Sequence, residues 1–241
     1  MSADDSFSPV DRLEFTVLVD NALEWMTALP PGFTNEVRLQ LQNGLPRDIE
    51  TGVPILDLPH FCCGAHGLSI LVTTERDGQR RTLLFDTGPD GSALERNLSA
   101  LKISANDIDT IVLSHWHSDH TGGLLTALSH IGKDKGKSCV VDAHASYPSA
   151  RGILPPGATE VLARLPADPT FEEIQRIGTT LRTYQGGDGH ATLGGTAWVS
   201  GEIPRQFEWE SGLKGSVRWN PVERAWHPDE VPSSNLAPYP Y

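Results

Sequence analysis

Short runs rich in apolar and β-branched residues mark the first third of the chain. Three of them, Leu13–Val19, Leu68–Thr74 and Arg81–Phe85, predict β-strands. The Asp77-Gly78 pair between the last two runs is typical of a tight turn, so these two strands are predicted to form a hairpin.

The pattern changes further along, where apolar residues recur at helical spacing. Ser92–Leu101 is therefore predicted to be an amphipathic helix on a sheet face, and Gly122–His130 a second helix. Thr110–Leu113 and Ser138–Asp142 predict short strands of the kind buried on both faces. Strands that first pair by a hairpin and then alternate with helices predict an α/β layer architecture.

Other segments carry weaker patterns. Asn21–Phe61 is rich in Pro and Gly and is predicted to be an excursion or a lid, and Tyr147–Pro156 a loop. Phe171–Ile177 predicts a short helix, and Thr180–Tyr184 and Thr196–Ser200 predict strands.

The predicted domain organisation has three parts. Residues 1–12 are interpreted as a flexible tail, residues 13–210 as one domain, and residues 211–241 as an irregular C-terminal segment. The composition, 38% hydrophobic and 21% charged, is that of a globular enzyme rather than a disordered chain.

The charge excludes some classes of partner. The formal net charge is −12 and the basic clusters are short, so binding to nucleic acid or to a membrane through a basic face is not expected. We expect a small-molecule substrate instead. The N-terminus lacks an apolar leader, no run is long enough to span a bilayer, and the three cysteines make no disulfide framework. We expect a cytoplasmic location.

The main chemical signal directly follows the predicted strand Thr110–Leu113. His115 and His117 are two residues apart, so in an extended segment both rings point to one side and can bind a first metal. Asp119 and His120 follow where the chain turns towards a helix, and can hold a second metal. Three of the nine histidines fall within these six residues, which argues against an accidental cluster, and a structural zinc site is usually rich in cysteine.

A carboxylate upstream has two interpretations. Asp86 ends the strand Arg81–Phe85, where it can accept an N–H from a ligand histidine and fix its tautomer. Taken alone it could equally form a helix N-cap or an Asx turn, but beside the histidine motif we favour the partner of a ligand histidine.

The H-x-H-x-D-H pattern after an apolar strand, with D-T-G upstream, resembles the metallo-β-lactamase superfamily. The finer pattern resembles its dihydropterin ribofuranosylaminobenzene phosphate synthase-like branch. The segments that carry this likeness are Val19-Asp20-Asn21, His66–Ser69, Leu84–Gly88, Ser114–Leu124 and Ser200–Arg205.

The resemblance implies an αββα sandwich and two divalent metal ions, Zn²⁺ or else Fe or Mn. His115, His117, Asp119 and His120 are then metal ligands, and Asp119 also acts in catalysis. Such a protein is a hydrolase of a small ester, lactone or phosphoester, or a related synthase acting on a pterin precursor.

The chain departs from that branch in its second half. The segments Gly-Cys-Ser/Ala-His-Ala-Gly-Ile and Gly-Gly-Phe-His are expected there, and neither is present; after Arg205 the only histidine is His227. We therefore expect an incomplete second half of the sandwich, which leaves each metal short of one ligand. The alternatives are a truncated, non-catalytic relative with weak or no metal binding, and an iron protein that handles oxygen or electrons.

Four further residues are candidates for the substrate pocket. His66 precedes the second strand and His144 follows a buried one, although a histidine in a surface loop is an equal interpretation of His144. Glu202 and Arg205 either contact a phosphate or form a surface pair. His190, in a glycine-rich loop, is a weaker candidate ligand.

Overall fold

The computed structural model describes residues 7–25, 27–131, 139–185, 189–204, 206–207, 209–210 and 212–229. These residues divide into two compact units. The larger comprises Pro9–Ala143 and Pro169–Arg182, and the smaller comprises Met1–Ser8, His144–Asp168 and Thr183–Tyr241. Arg205 lies outside the described residues, as do residues 211 and 230–241 of the segment predicted to be irregular.

Strands outnumber helices in the described residues. The strands are β1 Arg12–Val19, β2 Ser69–Arg76, β3 Gln79–Phe85, β4 Thr110–Val112, β5 Val140–His144, β6 Arg151–Ile153, β7 Ala163–Arg164, β8 Thr180–Tyr184, β9 His190–Thr192, β10 Ala197–Val199, β11 Ser216–Asn220 and β12 Ala225–Pro228. The helices are α1 Glu36–Gln42, α2 Gly91–Ala100, α3 Ser118–Thr121, α4 Leu124–Ile131 and α5 Phe171–Arg176. The predicted α/β class is confirmed.

The larger unit is built on a mixed sheet with the strand order β1-β2-β3-β4-β5-β8. β1, β2 and β3 pair antiparallel, and β3, β4 and β5 pair parallel. The β2–β3 hairpin turns at Asp77 and Gly78, which both have positive φ (52° and 72°), as a two-residue hairpin turn requires.

Helices α2 and α4 contact each other and supply the apolar layer of this unit. Asp90 caps α2 by accepting a hydrogen bond from the backbone N–H of Ala93 at 2.8 Å. Leu94 and Leu98 of α2 and Leu124 and Leu128 of α4 are buried, which matches the helical spacing of the sequence.

The smaller unit contains a sheet with the order β12-β11-β6-β7 and a β9–β10 pair. β6 lies in the segment predicted to be a loop, and the β11–β12 hairpin lies in the segment predicted to be irregular. The three strands have only three to five residues each. β12 pairs with its neighbour β11, and β11 pairs in turn with the distant β6, so a non-local pairing overrides a weak local preference. No helix in the described parts of the chain is long and apolar enough to cross a membrane.

Candidate metal centre

The four candidate ligands lie where β4 leaves the sheet and α3 begins. His117 is the N-cap residue of α3, and its carbonyl oxygen accepts hydrogen bonds from the backbone N–H groups of His120 and Thr121, both at 2.9 Å. Trp116 is buried and its ring packs against Phe171 of α5, with centroids 5.6 Å apart. The motif is therefore anchored to the core of the larger unit through the residue between its first two histidines.

The side chains of the motif lie close together. The ring centroids of His115 and His117 are 4.5 Å apart, and those of His115 and His120 are 4.3 Å apart. The Nε2 atom of His120 lies 3.4 Å from Oδ2 of Asp119. Three imidazoles and one carboxylate are thus gathered at one end of the parallel strands.

The buried carboxylate of Asp86 is hydrogen-bonded to His120 and to Ser114. It is fully buried and has a positive φ of 58°, and its Oδ2 lies 2.7 Å from Nδ1 of His120. Ser114 donates its backbone N–H to Oδ1 at 2.8 Å and its hydroxyl to Oδ2 at 2.7 Å. Burial raises the pKa of Asp86, and the hydrogen bonds from Ser114 and His120 oppose this effect.

The hydrogen bonds of Asp86 extend through Ser114 to a second histidine, His115. The Ser114 hydroxyl gives its proton to Asp86, so its oxygen is left to accept from Nδ1 of His115 at 2.9 Å. His115 and His120 then both carry their proton on Nδ1, which leaves each Nε2 with the lone pair that binds a metal.

Gly122 and Gly123, which follow the motif, allow its backbone to pack closely against the segment after β3. A Cβ atom on Gly122 would lie 1.8 Å from the carbonyl oxygen of Pro89, and one on Gly123 would lie 2.2 Å from that of Thr87. Gly122 has ordinary helical angles (φ −62°, ψ −29°), so close approach between the two segments explains the glycine better than a special turn does.

The profile of the Metallo-beta-lactamase superfamily matches residues 65–201, more than half of the chain. The chain belongs to this superfamily. The predicted family and fold type are thereby confirmed.

The chain is similar, over part of its length, to one curated relative and to two solved structures. The 7,8-dihydropterin-6-methyl-4-(β-D-ribofuranosyl)-aminobenzene-5′-phosphate synthase of Methanocaldococcus jannaschii is 42% identical over 69 residues, which cover 29% of this chain and 24% of the synthase. A metallo-β-lactamase variant from Cronobacter sakazakii is 34% identical over 32% of this chain and 28% of its own, with a TM-score of 0.26. A diphosphatase of the PhnP family is 18% identical over 75% of this chain and 54% of its own, with a TM-score of 0.34. Each match thus covers only part of the relative.

The donor set fits a divalent metal in its chemistry. Imidazole nitrogen and carboxylate oxygen suit Zn²⁺, Fe and Mn, and members of this superfamily commonly bind such ions. In the described residues, however, no group of three or more His, Cys, Asp or Glu side chains is arranged to hold a metal ion.

The remaining predicted site residues fall in different units. His66 lies in the larger unit beside the motif, with its Nε2 atom 3.8 Å from Oδ2 of Asp119. His144 and Glu202 belong to the smaller unit, where Nδ1 of His144 accepts the backbone N–H of Ser146 at 3.1 Å. His190 is also in that unit and stacks on Tyr184, with centroids 3.4 Å apart.

Two residues of the site had no role assigned from the sequence. Ser114 links Asp86 to His115, and its position next to the motif is the signal that could have found it. The side chain of Asn21 is hydrogen-bonded to His66, which lies 45 positions further along the chain, and no local sequence pattern predicts that contact.

Proposed function

We propose that this protein is a metal-dependent enzyme in which His115, His117, Asp119 and His120 bind two divalent ions, either Zn²⁺ or else Fe or Mn. The observation that carries the proposal is the hydrogen-bond network of Asp86. It holds His120 directly, and His115 through Ser114, in the tautomer that a metal ligand needs. A loop with histidines gathered by chance has no reason to contain a buried carboxylate that orients two of them.

The proposed reaction is hydrolysis of a small ester, lactone or phosphoester. A bound divalent ion supplies Lewis acidity and lowers the pKa of a coordinated water. The side chain of Asp119, which is partly exposed beside His120, is the group that would meet that water and the substrate. The likeness to the methanogen synthase supports a related reaction, a synthase or transferase step on a pterin precursor, within the same proposal.

A second candidate is a non-catalytic relative that binds metal weakly or not at all. The observation that favours it is that three donors do not converge on one point in the described residues. In that case the Asp86 network is a structural link between β3 and α3, and the histidines carry no ion.

Elemental analysis of the purified full chain separates the two candidates. We expect about two equivalents of metal in the wild type and a large loss in His115→Ala and Asp119→Ala. His130→Ala is the matched control, because His130 lies in α4 with its Nε2 atom 3.1 Å from Glu95, outside the cluster. Folded wild-type protein that retains no metal after incubation with Zn²⁺, Fe²⁺ or Mn²⁺ would leave the second candidate standing.

A further inference from the structure

The strand β1 lies at one edge of the sheet of the larger unit. In the described residues its only neighbour in that sheet is β2. Backbone N–H and C=O groups on the outer side of an edge strand are not used by the sheet and can pair with a further strand. Near the end of β1, the carbonyl oxygen of Leu18 accepts a hydrogen bond from the side chain of Asn97 at 2.6 Å, so the part that is open to such pairing is residues 12–17.

One face of β1 carries exposed apolar side chains. Leu13, Phe15 and Val17 are 50%, 64% and 55% exposed, and since they are two residues apart their side chains lie on the same face of the sheet. On β2, the half-buried Val72 and Ile70 pair with Phe15 and Val17 and extend this face. Exposed apolar side chains grouped in this way are typical of a surface that binds a partner.

β1 also lacks the features that usually prevent an edge strand from pairing with another chain. Lysine, proline or a bulge commonly protects such an edge. Residues 12–17 contain neither lysine nor proline, and the irregular pairing with β2 comes only between Val17 and Val19. Arg12 and Glu14 form an ion pair within the strand, so this segment has no net charge that would repel a second copy of itself.

The order of residues in β1 favours a second copy of the same strand over an unrelated peptide. When two copies pair antiparallel with Phe15 directly opposite Phe15, Leu13 of each copy lies opposite Val17 of the other. Glu14 then lies opposite Thr16, so no like charges are directly opposite each other. Aromatic and β-branched side chains that face each other across two strands stabilise a sheet. One symmetric arrangement therefore matches all three apolar positions.

The neighbouring registers fit less well. With Leu13 opposite Phe15, Glu14 lies opposite Glu14 of the other copy, which is unfavourable. With Phe15 opposite Val17, the overlap moves towards Leu18, whose carbonyl oxygen already accepts a hydrogen bond. A shift by a single residue places the polar side chains of one copy beside the apolar side chains of the other. The register centred on Phe15 is therefore the one that the strand favours.

We propose that two copies of this protein form a symmetric dimer through β1, with the two strands antiparallel about Phe15 and the two sheets joined edge to edge. Such a dimer has a two-fold axis, and each copy contributes the same surface to it. A lipid surface is a poor alternative partner, because the net charge of −12 opposes binding to an anionic membrane. The inference is independent of the proposed function, because no candidate metal ligand takes part in the interface.

Sedimentation equilibrium of the full chain, over a range of concentrations, measures the dissociation constant of the dimer. Phe15→Glu places two carboxylates face to face at the two-fold axis, so the dissociation constant should rise by at least about 100-fold. Phe33→Glu is the matched control, because Phe33 has nearly the same exposure, 68%, and lies outside β1, before α1. This control should associate as the wild type does.

A milder variant keeps the test available if a charge at this position prevents folding. Phe15→Ser removes the aromatic pair without adding a charge, and it should raise the dissociation constant about tenfold. Circular dichroism checks that each variant is folded.

A mixing experiment tests the register itself. Phe15→Lys alone should be monomeric, as Phe15→Glu is, because like charges again meet at the two-fold axis. An equimolar mixture of the two variants should form a heterodimer, because opposite charges then face each other at residue 15. High salt should weaken this heterodimer, since salt screens the interaction between the two charges.

Three results would overturn the proposal. A wild type that stays monomeric at all concentrations means that another segment of this chain, or a different protein, covers β1. A dimer that Phe15→Glu leaves intact means that the interface lies elsewhere on the molecule. If the two charged variants remain monomeric when mixed, the pairing about Phe15 is wrong. None of these results depends on whether the protein binds a metal.

Discussion

The two units differ in the kind of side chain that they bury. In the larger unit, apolar side chains from the sheet, α2, α4 and α5 are fully buried; among them are Leu84, Leu94, Ile111, Leu128 and Ile174. Among the large side chains that are fully buried in the described residues, only Val217 belongs to the smaller unit.

The smaller unit buries an ion pair instead. Arg151 on β6 donates two hydrogen bonds from Nη2 and one from Nε to the carboxylate of Asp168, at 2.7 to 3.1 Å. Both side chains are almost fully buried, and the hydroxyl of Tyr147 donates to the carbonyl oxygen of Asp168 at 2.7 Å. In the described residues, the larger unit is therefore stabilised mainly by apolar burial, whereas the smaller unit combines little apolar burial with a buried and fully hydrogen-bonded ion pair.

The largest effect should come from breaking that link. Arg151→Met leaves the Asp168 carboxylate buried and unpaired, which typically costs about 3–5 kcal/mol. Urea unfolding followed by tryptophan fluorescence measures it. Arg218→Met is the control, because Arg218 is exposed and lies 3.7 Å from Asp229, a pair worth about 1 kcal/mol or less. Equal losses in the two variants would contradict a special role of the buried pair.

A somewhat smaller effect is expected from removing apolar volume from the larger unit. Leu128 is fully buried in α4, so Leu128→Ala should lower the free energy of unfolding by about 3 kcal/mol. The same substitution at Leu162, which is exposed in the smaller unit, should cost no more than about 0.5 kcal/mol. If both substitutions cost the same, the contrast between the two interiors does not hold.

The smallest effect concerns a thiol at the edge of the larger core. Burial, together with the neighbouring Glu36 carboxylate, raises the pKa of Cys62 to about 12. Since the thiolate is the reactive form, Cys62 should resist alkylation at pH 8 in the folded protein and react after unfolding. Mass spectrometry locates the label, and the half-buried neighbour Cys63 is the internal comparison.

The same raised pKa links the stability of the fold to pH. In the unfolded chain this thiol ionises near its ordinary pKa of 9.0, whereas in the folded protein its pKa is about 12. The contribution of the buried, protonated thiol to the free energy of unfolding is therefore fully present below pH 9, and it is lost as the pH rises from 9 towards 12. Relative to Cys62→Ala, the wild type should lose stability between pH 8 and pH 10; a constant difference would contradict the raised pKa.

The sequence predicted best the elements whose signals are local. The Asp77-Gly78 turn located the β2–β3 hairpin, and the apolar spacing located α2 and α4 to within about two residues. The candidate ligands were also visible, because all four fall within one short segment. In each case the residues that carry the signal are neighbours along the chain.

Features that depend on distant partners were not predictable. β6 and β11 pair across more than sixty residues, and neither has a strong strand pattern of its own. For Asp86, the sequence favoured a partner of a ligand histidine over a turn but did not say which histidine, because the hydrogen bond to His120 depends on how β3 and α3 meet. The link between Asn21 and His66 likewise arises only when β1 is in place.

The position of Trp116 has a practical consequence. Its indole is buried against Phe171, one residue from each of His115 and His117. The chain thus carries an intrinsic fluorophore inside its candidate metal-binding motif. Co²⁺ or Cu²⁺ binding at the motif should quench this tryptophan, and Trp116→Phe should remove that part of the response, so that occupancy can be followed optically, in real time, without an added dye or a known substrate.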